Sequence, residues 1–219
     1  MGWLVDAVVL LSKGGYVMIP LMFCSVLSVA VMIDRFVKVK SAQADVSNVV
    51  RQVEDAVYDG KVKKSIEMLD SAGSPVTRVL AAGLRNKHLG ERAAERAMEE
   101  QGMREVASLN HRLGWLDTII TIAPLLGLLG TVTGMISAFH VIAAKEGIST
   151  PTAITGGVAE ALIATATGLA IAIFTLVGYN NIQERIKSVV AEIETKGSAM
   201  VNVIVEAGEG SDEVTRLSA

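Results

Sequence analysis

One cysteine, four prolines and 4% aromatic residues are all that this 219-residue chain has of those types. The lone thiol, Cys24, excludes an intrachain disulfide and cannot supply a cysteine cluster for a metal. The scarcity of aromatics removes the girdles expected of a membrane-spanning β-barrel. Charge is thin as well. Asp, Glu, Lys and Arg make up 20%, and the formal net charge of −3 favours no nucleic-acid partner. No phosphate loop, metal-ligand cluster or nucleophile–base pair is visible, so neither an enzyme nor a cofactor is indicated.

Apolar residues are abundant, at 51% of the chain. A globular core of this size cannot hide so much apolar surface, whereas lipid can. Three runs are long enough to cross a hydrocarbon layer about 30 Å thick, which takes roughly 20 helical residues. They are Tyr16 to Ile33, closed by Asp34 and Arg35; Ile119 to Ala144, free of Asp, Glu, Lys and Arg; and Ala153 to Ile182, whose one acid or base is Glu160. The stretch before the first run carries Asp6 and Lys13 instead of a basic leader, and that run is longer than a signal-peptide core. It reads as an uncleaved anchor.

Basic residues set the orientation. Arg35, Lys38 and Lys40 follow the first run, Arg112 precedes the second, and Arg185 and Lys187 follow the third. Between the second and third lies only Lys145, offset by Glu146. The expected layout is therefore an all-α integral membrane protein with long helical cytoplasmic extensions. It comprises an outer N-terminal segment (1–15), a first span (16–36), a cytoplasmic helical domain (37–112), a second span (113–144), a periplasmic loop (145–152), a third span (153–182) and a cytoplasmic tail (183–219). Val46, Val49, Val50, Val53 and Val57 recur at helical spacing and predict an amphipathic helix. Ser74-Pro75 predicts a turn, with Pro75 at a first helical position. Glu91 to Arg112 is rich in good helix formers and predicts a helix running unbroken into the second span. The tail predicts a helix to about Val205, with an acidic, glycine-containing and frayed stretch beyond it.

Rows of small residues mark the second and third spans. Gly130, Gly134 and Ala138 are spaced by four, as are Gly156, Glu160, Ala164, Gly168 and Ala172. Such rows let helix backbones approach closely in lipid, either within one chain or between subunits. Pro124 is expected to bend the second span. A carboxylate two turns inside a span costs on the order of 2.5–3.5 kcal/mol or more, so Glu160 points to a proton or cation route. The plainer alternative is a structural Glu snorkelling over ~12 Å to the outer surface. Thr131, Thr133, Thr155, Thr165 and Thr167 either line such a route or bond back to their own helix carbonyls. Thr167, seven residues on, shares the face of Glu160, whereas Thr165 is turned away by about 140°. His140 and Asp117 read as interfacial residues.

The stretches LGWLDTIITIAPLLGLLGTVTGMISAF (113–139) and TGGVAEALIATATGLAIAI (155–173) together resemble the signature of the MotA/TolQ/ExbB proton-channel family. KGGYVMIPLMFCSVLSVAVMIDRF (13–36) is most similar to the ExbB type, with TolQ next. The resemblance implies a ring-shaped homo-oligomer, a pentamer, in the inner membrane. Its pore would enclose a single-span ExbD- or TolR-like partner with a membrane Asp. Proton flow would drive TonB-dependent uptake through a TonB-like protein, or Tol-Pal envelope maintenance. The pore glutamate of the family matches Glu160, and its pore threonines match Thr131 and Thr165, where helical spacing favours Thr167. The flagellar stator type has a small residue at the Glu160 position. Phe174 stands where Pro is usual and Thr133 where Trp is frequent, which separates the chain from typical ExbB and TolQ members. A non-conducting membrane scaffold, with Glu160 as a packing residue, is the alternative of a different class.

Overall fold

The structure, a computed structural model, describes residues 14–144 and 151–217, with side chains from 14–140 and 155–208. The expected outer segment (1–15) and outer loop (145–152) lie almost entirely outside the described residues. The rest is helical: α1 (Met18–Ala42), α2 (Ser47–Tyr58), α3 (Val62–Ala72), α4 (Pro75–Asn86), a 3₁₀ turn (Lys87–Leu89), α5 (Glu91–Asn110), α6 (Leu113–Ala144) and α7 (Pro151–Leu217). Three of the helices, α1, α6 and α7, are long and apolar enough to cross a membrane. Less than a third of each apolar run is buried within the chain. The exposed remainder includes Ile19, Phe23, Phe139, Leu162, Phe174 and Val177. Side chains of that size facing outward in such number require an apolar surrounding, and the protein is a multi-pass membrane protein.

The described residues form two compact units. One comprises residues 14–35 with 112–181, and the other residues 36–111 with 182–217. In the first, Val17 in the turn before α1 and Met18 and Leu21 of α1 pack with Ile119 and Ala123 of α6 and Ala164 and Ala172 of α7. The buried face of α6 runs through Ala123, Gly127, Gly130, Gly134 and Ala138, one position per turn. It meets the Gly157, Ala161, Ala164 and Gly168 face of α7. A Cβ added to Gly134 would stand 2.9 Å from the Gly157 carbonyl oxygen and 3.0 Å from the Ala161 Cβ. One added to Gly127 would stand 2.9 Å from the Thr165 Cα. These small-residue rows therefore pack α6 on α7 inside one chain, with backbones nearly touching. Gly156 departs from the row, since nothing lies within 4 Å of its position.

In the second unit α2 buries Val50, Val53 and Val57, as the valine spacing predicts, together with Ala56, while Val46 is buried just before the helix and Val49 is only half-buried. Ser74 accepts a hydrogen bond from the Thr77 N–H at the start of α4 and Pro75 occupies its first turn, forming a reciprocal capping box. Arg78 donates from Nε and Nη2 to both oxygens of Glu105, at 2.7 and 2.6 Å, and Gln101 adds a third bond at 2.7 Å. These donors hold the buried Glu105 carboxyl below its ordinary range, with the Arg78 hydrogen bonds the largest cause. α7 contributes Ile182, Ile186, Val189, Ile193 and Met200 to the buried residues of this unit.

Two expectations fail here. The helix does not run unbroken from Glu91 into the second span, because α5 ends at Asn110 and Arg112 takes φ +68°. That left-handed conformation cannot continue a right-handed helix. The Arg112 carbonyl instead accepts from the Trp115 N–H to open α6, and its guanidinium lies 3.6 Å from Asp34 of α1. At the other end, α7 does not stop near Val205 but continues as helix to Leu217. The second span remains helical through Pro124.

Candidate functional site

Glu160 sits on α7 and is half-buried. The apolar part of α7, 151–181, contains no other Asp or Glu and no Lys, Arg or His. Its neighbours along the helix, Gly157, Ala161 and Ala164, are the small residues that dock on α6, so the carboxylate stands at the edge of the α6–α7 seam. From the α1 side the backbone at Gly15 approaches it directly. Gly15 has φ +73°, and a Cβ there would overlap the Glu160 carboxyl oxygen Oε1 and stand 2.9 Å from its Cδ. The backbone conformation favours glycine, and an added Cβ would have to displace the flexible end of the Glu160 side chain. Spacing arguments miss this contact; its one trace in the sequence is the Gly14-Gly15 pair just before the first apolar run.

The threonines divide into two kinds. Thr165 donates across the seam to the Gly127 carbonyl of α6 at 2.8 Å. It braces two helices whose glycines have brought their backbones together. Thr167 bonds back to the Ile163 carbonyl at 2.8 Å, and Thr131 to the Leu128 carbonyl at 2.6 Å. Thr133 shares its proton between the Leu129 and Gly130 carbonyls at 3.0 and 3.1 Å. Thr175, which sequence reasoning passed over, is fully buried and bonds to the Ile171 carbonyl at 2.7 Å. Every one of these hydroxyl protons is committed to a main-chain oxygen of this chain. Within one chain Thr165 and Gly127 meet directly, whereas Thr131 and Thr167 are engaged only along their own helices. His140 and Asp117 are exposed. Among the described residues no group of three or more His, Cys, Asp or Glu side chains is placed to hold a metal ion.

Comparison with known proteins places this arrangement. The model of the MotA/TolQ/ExbB proton channel family matches residues 71–195. An ExbB-like biopolymer transport protein of Synechocystis sp. is 37% identical over 166 residues, covering 75% of this chain and 65% of that protein. A biopolymer transport protein of the ExbB type from Vibrio cholerae is 32% identical over 166 residues, 73% of this chain and 71% of the relative. The Tol-Pal system protein TolQ of Haemophilus influenzae is 40% identical over 95 residues, 43% of this chain and 41% of its own length. The chain thus spans somewhat less than two thirds of the Synechocystis relative. The matched region takes in α4, α5, the whole α6–α7 seam and Glu160, more than half of the chain, and the chain belongs to the MotA/TolQ/ExbB proton channel family.

Proposed function

We propose that the chain is a proton-conducting motor subunit whose Glu160 carries protons between itself and the membrane Asp of a single-span, ExbD-like partner. The observation that supports this most is the isolation of Glu160: a half-buried carboxylate deep in an apolar span, with no acid or base beside it on its own helix. In the proposed arrangement five copies form a ring around the partner helices in the inner membrane. The N-terminus is periplasmic, while the second unit and the end of α7 lie in the cytoplasm, following the arginines and lysines that flank the spans. The energy released would drive TonB-dependent transport across the outer membrane through a TonB-like protein. Thr165, Thr131 and Thr167 would supply the polar lining. The TolQ-type role in envelope maintenance is the second reading, supported by the 40% identity to the Haemophilus TolQ over 95 residues.

The test is Glu160→Gln in proteoliposomes with the co-purified partner. The expected result is loss of partner-dependent proton flux with insertion and oligomer mass unchanged. Undiminished flux would return Glu160 to a packing role and leave the chain a scaffold.

A further inference from the structure

The turn that opens α1 is closely fitted to Glu160. Gly14 lies over Ile163, one turn along α7 from Glu160, so that a Cβ there would stand 3.3 Å from Ile163 Cγ2. Gly15 lies against the carboxyl itself, and a Cβ there fits only if the carboxyl moves. The turn is also anchored. The Met18 N–H donates to the Gly15 carbonyl at 3.1 Å, and Val17 and Met18, both buried, are built into the cluster that holds Ala164. Tyr16 alone points away, 92% exposed.

We propose that the Gly14–Gly15 turn is a fixed cover on the Glu160 carboxyl. It closes the side facing α1, so that protons and the partner's acid reach the group only from the opposite side. Gly15 is then a positioning residue: its missing side chain sets where the carboxyl stands. The functional meaning rests on the reading of Glu160 as the proton-carrying group, whereas the contact itself does not.

The test measures carboxyl accessibility instead of activity. The full chain in liposomes is treated with dicyclohexylcarbodiimide, which modifies protonated membrane carboxyls, and the rate at position 160 is read by peptide mass. Gly15→Ala adds the Cβ at an unfavourable φ, whereas Gly15→Asn adds it in a residue that tolerates the left-handed region. Each is made with Glu160 and with Glu160→Asp, whose carboxyl is withdrawn by one methylene. With Glu160, both variants are expected to raise the labelling rate at least threefold as the carboxyl is pushed off the turn. With Glu160→Asp, both should change it by less than 1.5-fold. Such non-additivity is the signature of direct contact. Gly14→Ala, whose Cβ meets Met18 and Ile163 and not the carboxyl, is the comparison and should change the rate by the same factor with Glu160 and with Glu160→Asp. If the Gly15 variants fail to accumulate with Glu160 but accumulate with Glu160→Asp, the cover is equally supported. Equal effects in both backgrounds, equal failure to accumulate in both, or no effect in either would overturn it. Flux from Glu160→Gln is scored separately, so a failed conduction reading is not confused with a failed cover.

Discussion

The glycines of the α6–α7 seam allow a graded test of how closely the two backbones pack. At Gly134 an added methyl would stand 2.9 Å from the Gly157 carbonyl oxygen and 3.0 Å from the Ala161 Cβ. Comfortable carbon contacts lie at about 3.5–4.0 Å, so the helices must separate by roughly 0.5–1 Å. Overpacking of that kind costs about 1–3 kcal/mol. Replacing a helical Gly by Ala returns about 1 kcal/mol, so Gly134→Ala should destabilise by about 0–2 kcal/mol net. At Gly156 nothing lies within 4 Å, and Gly156→Ala should be neutral or stabilising by up to about 1 kcal/mol. The propensity gain cancels between the two variants, leaving the 1–3 kcal/mol packing cost as their difference. Gly168→Ala should be worse than Gly134→Ala, because its methyl would run into the Ala123 carbonyl and backbone cannot swing aside. Gly178→Ala should be milder, since it meets the Met32 thioether, which can rotate away. Equilibrium unfolding of each variant in mixed detergent micelles gives the order. If Gly134→Ala and Gly156→Ala fell within 0.5 kcal/mol of each other, the close packing of α6 on α7 would be refuted.

Thr165→Val should destabilise the same unit by about 0.6 kcal/mol and at most about 1.7, since it removes an interhelical bond, while Thr131→Val and Thr167→Val should cost less; unfolding in micelles again decides. Glu105→Gln should destabilise the second unit by about 1.5 kcal/mol, the low end for bonds to charged groups because Arg78 is partly exposed. Because the folded Glu105 carboxyl titrates below its unfolded value, its contribution is complete above the ordinary glutamate range and lost as pH falls through the lower, folded value. Glu105→Gln should therefore flatten that acid limb of a stability–pH profile, and an unchanged limb would dismiss the pair as its source. Arg112→Gly should relieve about 1–2 kcal/mol of left-handed strain while losing at most about 1 kcal/mol from the exposed pair with Asp34, for a small net gain in thermal stability.

Elements governed by local chemistry were legible in the sequence. Apolar runs located the three spans, Ser74-Pro75 located the start of α4, and the valine spacing gave three of the four buried residues of α2. What failed depends on contacts distant in sequence. Nothing in Glu91 to Arg112 opposes a helix, and the break falls on an arginine near Asp34 of α1. Glycines and acids near the end of the chain argued for fraying, yet α7 remains helical to Leu217. The small-residue rows showed which helix faces could approach closely, but not what they would approach. Gly134 and Ala161 meet within the chain, whereas Gly156 does not. The proximity of Gly15 to Glu160 joins residues far apart in the sequence, and no periodicity could have revealed it.

The hydroxyls of Thr131, Thr165 and Thr167 share a property that bears on the proposed route. A threonine has one proton to donate and two lone pairs with which to accept. All three protons are spent on helix carbonyls, one of them across the seam. Structural bonding and a place in the lining are therefore compatible, but they restrict what the lining offers. With its protons engaged, such a hydroxyl can only accept, so it stabilises a protonated carboxylic acid or a hydrated proton and offers nothing to a bare carboxylate. On the proposed reading this favours the neutral form of the partner's Asp near these residues. Ionisation of that acid would then depend on water or on donors elsewhere in the assembly. Serine should support flux at all three positions, since it keeps the accepting oxygen, while valine should not. A valine series with native flux would mean that the three hydroxyls only serve their own helices.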